Sequence, residues 1–121
     1  MEIMQQKINK DEIFPKEDAC GAIRELYRSD HLTLAHVEIT GDAKPHLHRK
    51  MEEIYYVTKG EGELVIGDQV LKIREGDLIP IPKNTYHQLR KTDSDLFEII
   101  FVTYPAFTMK DVYFEDEKIK K

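Results

Sequence analysis

Between Ala22 and Tyr104 the chain is cut into short runs rich in valine, isoleucine, leucine, tyrosine and threonine, each ended by turn residues, and no sustained helical period runs between them. That punctuation leaves no room for a long helix and predicts an all-β fold. The expected strands are Ile23 to Arg28, Leu32 to Ile39, Lys44 to Arg49, Glu53 to Lys59, Gly62 to Ile66, Gln69 to Arg74, Leu78 to Ile81, His87 to Lys91 and Phe97 to Tyr104. Nine short strands suit a closed or nearly closed barrel, which hides sheet edges that would otherwise pair with other chains. The sharpest local signal is Gly67-Asp68 between two apolar runs, a pair that supplies the positive-φ positions of a tight hairpin. Gly60-Glu61-Gly62 and Glu75-Gly76-Asp77 read as further turns. Ile79-Pro80-Ile81-Pro82 cannot donate hydrogen bonds along its whole length, so it belongs at an edge or a bend.

The chain has 121 residues, enough for one core, and is expected to be one domain: a barrel over 22–104, an N-terminal arm over 1–21 and a C-terminal tail over 105–121. Its net charge of -5 offers no basic field to nucleic acid or an anionic membrane, and no segment of helix-turn-helix size is left over. A small molecule is the natural partner. Cys20 is the one cysteine, so no intramolecular disulfide forms, which fits a reducing cytoplasm; its expected role is a small, partly buried side chain. Met1 to Lys10 contains no apolar stretch of signal-peptide length, and no apolar run elsewhere reaches transmembrane length, so a cytoplasmic protein is expected.

His46 and His48 stand two residues apart, and on a strand from Lys44 to Arg49 both imidazoles leave one face and converge on one point. Glu53 follows after a short link, and His87 joins from a distant segment. Three imidazoles and a carboxylate suit iron, manganese, cobalt, nickel, copper or zinc and match calcium or magnesium poorly.

These residues, with the glycines and proline around them, resemble the two motifs of the cupin superfamily. In the first, a glycine precedes His-X-His, a glutamate follows after three or four residues, and a second glycine comes six residues later. Here Gly41, His46, His48, Glu53 and Gly60 take those places, and the count to Gly60 favours Glu53 over the adjacent Glu52. In the second motif, Gly76, Pro82 and His87 match. Gly41 stands one residue closer to His46 than usual, Asn84 replaces a glycine, and Lys91 replaces an asparagine. None of the three departures touches a metal ligand, and asparagine is the residue that best follows glycine into a left-handed conformation.

The resemblance implies a cupin-type double-stranded β-helix, or jelly-roll barrel, holding one divalent transition metal ion through His46, His48, Glu53 and His87. It also implies a homodimer, for which the N-terminal arm and Val112, Tyr113 and Phe114 are expected to cover a partner barrel. Similar cupins are dioxygenases, isomerases, decarboxylases, lyases and cyclases. The expected function is therefore a metal-dependent enzyme acting on a small oxygen-rich metabolite, the alternative being a non-catalytic sugar- or carboxylate-binding sensor. Candidate catalytic groups are Tyr55, which alternation sends inward with Glu53; His36, on a neighbouring strand beside Leu34 and Glu38; and Lys91, on the face of His87. Either face of Phe97 to Tyr104 could supply apolar wall.

Overall fold

The computed structural model describes residues 6–17, 21–92 and 95–115, so Cys20 lies outside the described residues. Ten strands are present among them: β1 (Lys16–Glu17), β2 (Gly21–Arg28), β3 (Thr33–Ile39), β4 (His46–Leu47), β5 (Glu52–Ile66), β6 (Gln69–Arg74), β7 (Leu78–Ile81), β8 (His87–Lys91), β9 (Phe97–Tyr104) and β10 (Tyr113–Phe114). Short 3-10 turns at Lys10–Glu12 and Met109–Asp111 are the helical elements of these residues. The fold is all-β, an antiparallel sheet curled into a cupin-type barrel.

The curl depends on β5. Its first half pairs with β9 and β7, its second half with β6 and β8, so one continuous strand serves both walls. Gly60-Glu61-Gly62, read from sequence as a turn between two strands, lies inside this strand. The register slips between Val57 and Lys59, and Gly60 has φ +73°, so the strand bends without ending. A Cβ on Gly60 would collide with the carbonyl oxygen of Leu96, and one on Gly62 with the ring of Phe97. Those glycines mark close approach of neighbouring chain, a use that composition does not distinguish from a turn.

Other expectations hold. Ile66 pairs with Gln69 across a hairpin whose Gly67 has φ +57°. β7, which contains Pro80 and is followed by Pro82, pairs with β5 alone and so forms an edge among the described residues. Asn84 has φ +61°, the left-handed conformation for which it stands in place of glycine, and its N–H donates to the carbonyl of His48 at 2.7 Å. The expected strand from Lys44 to Arg49 shrinks to His46–Leu47, because Pro45 has no N–H to donate and the chain turns immediately after His48. Tyr113 and Phe114, expected to cover a partner, pair with the chain's own β4.

Register arranges the inner face in rows across β3, β9 and β5. Val37, Ile99 and Val57 form one row, Ala35, Phe101 and Tyr55 the next, and Thr33, Thr103 and Glu53 the third. With Leu64, Phe97 and Leu89, the first row belongs to a buried apolar cluster. Burial of a leucine- or phenylalanine-sized side chain is worth about 1.5–3 kcal/mol, so this end anchors the barrel. Four residues along each strand from that row, at Thr33, Thr103 and Glu53, the core gives way to polar side chains, and there the histidines gather.

Candidate metal site

β4 and β8 meet at a single pair, His46 opposite His87, and His48 follows two residues on. The ligating nitrogens of these three histidines lie within 4.8 Å of one another. Glu53, second residue of β5, enters from the opposite wall and places Oε1 3.3 Å from Nε2 of both His48 and His87. His48, His87 and Glu53 are buried at 2%, 1% and 5% exposure, while His46 is half-buried. The set expected from sequence is thus brought together from three strands and the turn after β4.

Each imidazole is aimed by its other nitrogen. Nδ1 of His46 lies 2.9 Å from the carbonyl of Lys44, that of His48 2.9 Å from the carbonyl of Asp111, and that of His87 3.0 Å from the carbonyl of Thr85. A carbonyl oxygen only accepts, so every Nδ1 carries the hydrogen and, in the neutral ring, every Nε2 presents a lone pair. His48 Nε2, His87 Nε2 and Glu53 Oε1 are buried without a hydrogen-bond partner; the 3.3 Å contacts among them lack hydrogen-bond geometry, and with neutral rings they set lone pair against lone pair. An unpartnered buried polar atom costs about 1–3 kcal/mol, and a cation at the point of convergence removes that cost.

Ionisation agrees with this donor set. Burial, with the like-charged neighbour His87, pushes His46 down to about 4, so it is neutral and its lone pair available at neutral pH. Burial alone would raise the Glu53 carboxyl, but the imidazoles of His48 and His87 hold it down at about 2, so it is a carboxylate. Burial lowers His48, yet Glu53 beside it wins and raises its affinity for a proton. The neutral His46 ring and the Glu53 carboxylate are thus in the states that ligate a metal ion without first losing a proton.

The candidate catalytic residues separate. Tyr55 is 5% exposed and its ring centroid lies 6.2 Å from that of His87, so it borders the cluster. His36 does not: it lies on the outer face of the sheet, where Nε2 meets Glu98 Oε1 at 2.9 Å, and the N-terminal segment passes this side through the bond from Arg24 Nε to the carbonyl of Ile13. Alternation pairs His36 with Leu34 and Glu38 as expected, but that face is the outside. Lys91 shares the face of His87 yet stands four residues farther along β8, about 13 Å at strand spacing, opposite Gly62 at the apolar end. Phe101 supplies wall, its ring tilted against that of Phe107 at 6.2 Å between centroids, and Phe107 in turn lies 6.5 Å from the His48 ring. Phe107 and Asp111 escaped the sequence reading, since the tail that carries them holds no motif, and Phe114, expected against a partner barrel, lies opposite His46.

The family model for the Cupin domain matches residues 33–103. An uncharacterized protein of Methanocaldococcus jannaschii, MJ1618, is 27% identical over 118 residues, covering 92% of this chain and 94% of its own. A crystal structure of a Planctomyces limnophilus protein superposes with a TM-score of 0.80 at 25% identity, over 92% of this chain and 97% of that one. Streptomyces Pac13, described as a nucleoside dehydratase, has the same fold, with a TM-score of 0.75 at 17% identity over 95% and 98% of the two chains.

Proposed function

Because the chain belongs to the cupin family, we propose that it is a metal-dependent enzyme acting on a small oxygen-rich metabolite, with one divalent transition metal ion held by His46, His48, Glu53 and His87. The observation that carries this reading is the convergence of Nε2 lone pairs and a carboxylate oxygen, buried and without hydrogen-bond donors, on rings whose Nδ1 atoms are already committed to backbone carbonyls. A dehydratase on the same fold adds precedent for chemistry in such a barrel.

When bound, the ion supplies Lewis acidity towards a substrate oxygen and, with open coordination positions, room for that oxygen beside it. The protein does the rest. Glu53 brings the negative charge that balances the cation. Phe101 and Phe107 present an aromatic wall that limits water on the side of His48. Tyr55 is the candidate to hold or move a proton at its hydroxyl, being the titratable side chain outside the ligand set whose ring borders the cluster. Substrate approaches past His46, the least buried ligand.

The test is elemental analysis of protein purified without added metal or chelator, with His48→Ala handled identically. Stoichiometric iron, manganese, cobalt, nickel, copper or zinc in the parent, and its loss from the variant, is expected. Turnover found in a screen of hydroxy acids, sugars and nucleosides should then vanish on chelation and return with the metal. A parent that stays metal-free after anaerobic reconstitution with each ion would overturn the assignment.

A further inference from the structure

The match to the family model ends at Thr103, and the chain then continues back over the histidines. Phe107 is fixed by its N–H to Thr33 Oγ1 at 2.9 Å and by its carbonyl, which accepts from Arg28 Nη1 at 3.0 Å. Asp111 follows in a 3-10 turn capped by Thr108. Its carboxylate accepts three consecutive backbone N–H groups: Arg49 at 3.0 Å, Lys50 at 3.0 Å and Met51 at 2.8 Å. Its carbonyl oxygen accepts Nδ1–H of His48 at 2.9 Å. β10 then pairs with β4, Phe114 opposite His46.

Residues 49–51 are the turn between His48 and β5, which delivers Glu53. One side chain therefore clamps the link between two ligands while the same residue's backbone sets the tautomer and ring direction of one of them. Surface turns are normally held by their own residues, as Asp77 holds its turn by accepting the N–H of Arg74 at 2.8 Å. A buried carboxylate brought from 60 residues away to accept three successive N–H groups does more than form a turn.

We infer that Asp111 is a positioning residue of the metal site: its carboxylate holds the His48-to-Glu53 turn, and its carbonyl holds the His48 ring, in the geometry that binds the ion. The inference rests on the metal reading above and places part of the site in a segment that follows the match to the family model.

The experiment measures the zinc Kd by chelator competition, and the visible spectrum of the cobalt(II) form, for the parent, Asp111→Asn, Asp111→Ala and Asp77→Ala. Loss of an outer group that orients a ligand weakens metal binding about 10- to 100-fold. Asp111→Ala should show that loss with an altered cobalt spectrum, and Asp111→Asn, which keeps one acceptor oxygen, a smaller one. Asp77→Ala should leave the Kd within about twofold, separating site geometry from general turn loosening. Linkage is reciprocal, so in the unmutated protein zinc should slow amide hydrogen exchange at Arg49, Lys50 and Met51 by a similar factor, and more than at Arg74; this arm stands even if the Asp111 variants fail to fold. Zinc bound equally by the parent and Asp111→Ala, or exchange at 49–51 slowed no more than at Arg74, would overturn the inference alone. A parent that binds neither zinc nor cobalt would overturn the metal reading and this inference with it.

Discussion

Among the described residues, buried histidines meet carboxylates on both faces of one sheet, and the two sites are built in opposite ways. On the outer face His36 Nε2 meets Glu98 Oε1 at 2.9 Å, a closed hydrogen bond between one ring and one carboxylate. On the inner face Glu53 Oε1 lies between two imidazoles at 3.3 Å from each and bonds to neither. The unpaired nitrogen also differs. At His36 it is Nδ1, which points away from the contact, whereas at His48 and His87 it is Nε2, which points into it, with Nδ1 held by a carbonyl. Burial and charge alone do not tell a structural histidine from a ligand. The direction of the unsatisfied lone pair does.

Removing one ring from each site separates a ligand from a structural histidine most directly. His48→Ala should weaken binding of a transition metal by more than about 100-fold, beyond the loss typical of an outer-sphere group. His36→Gln should leave it unchanged, both read by chelator competition. Equal losses would mean that His36 acts on the site through the sheet. A smaller effect tests the outer contact itself. Glu98→Ala leaves the His36 ring buried without its partner, which should cost about 1–3 kcal/mol in denaturant unfolding while metal affinity holds. Replacing both members by leucine should recover most of that loss, since a pair removed together leaves no orphan. A double variant as unstable as Glu98→Ala would show the pair to be worth more than its hydrogen bond.

The sequence exposed the inner contact more fully than the outer because its signals are local and redundant. His46 and His48 share a short spacing, and Glu53, Gly60, Gly76, Pro82 and His87 keep fixed distances from the turns that frame them. His36 carries only its alternation, which assigned its neighbours correctly but left open which face was inside. The long β5 was illegible for a different reason: a glycine that admits a turn also admits a bend against Leu96, and only the neighbour decides. Asp111 was beyond reach, a single acid in a charged tail whose partners lie about 60 positions earlier. Contacts between residues so far apart leave no periodicity to read.

The subtlest form of the same contrast lies in two threonines that face each other across β3 and β9, Thr33 and Thr103, both buried. Thr33 Oγ1 accepts the N–H of Phe107, whereas Thr103 Oγ1, in register with Glu53, has no partner among the described residues. Valine keeps nearly the shape of threonine and deletes the hydroxyl, so the two substitutions isolate one oxygen each. Thr33→Val strands the Phe107 amide and should cost about 1 kcal/mol. Thr103→Val relieves an unpaired hydroxyl and should be neutral or stabilising by up to about 1 kcal/mol, seen as a shift in denaturation midpoint at constant slope. If Thr103→Val destabilises as much as Thr33→Val, its hydroxyl is bonded in solution and the contrast between satisfied and unsatisfied groups fails at this position. If it leaves stability intact but weakens zinc binding, the unpaired hydroxyl belongs with Glu53 to the site, and the polar row at that end of the barrel is built for the ion.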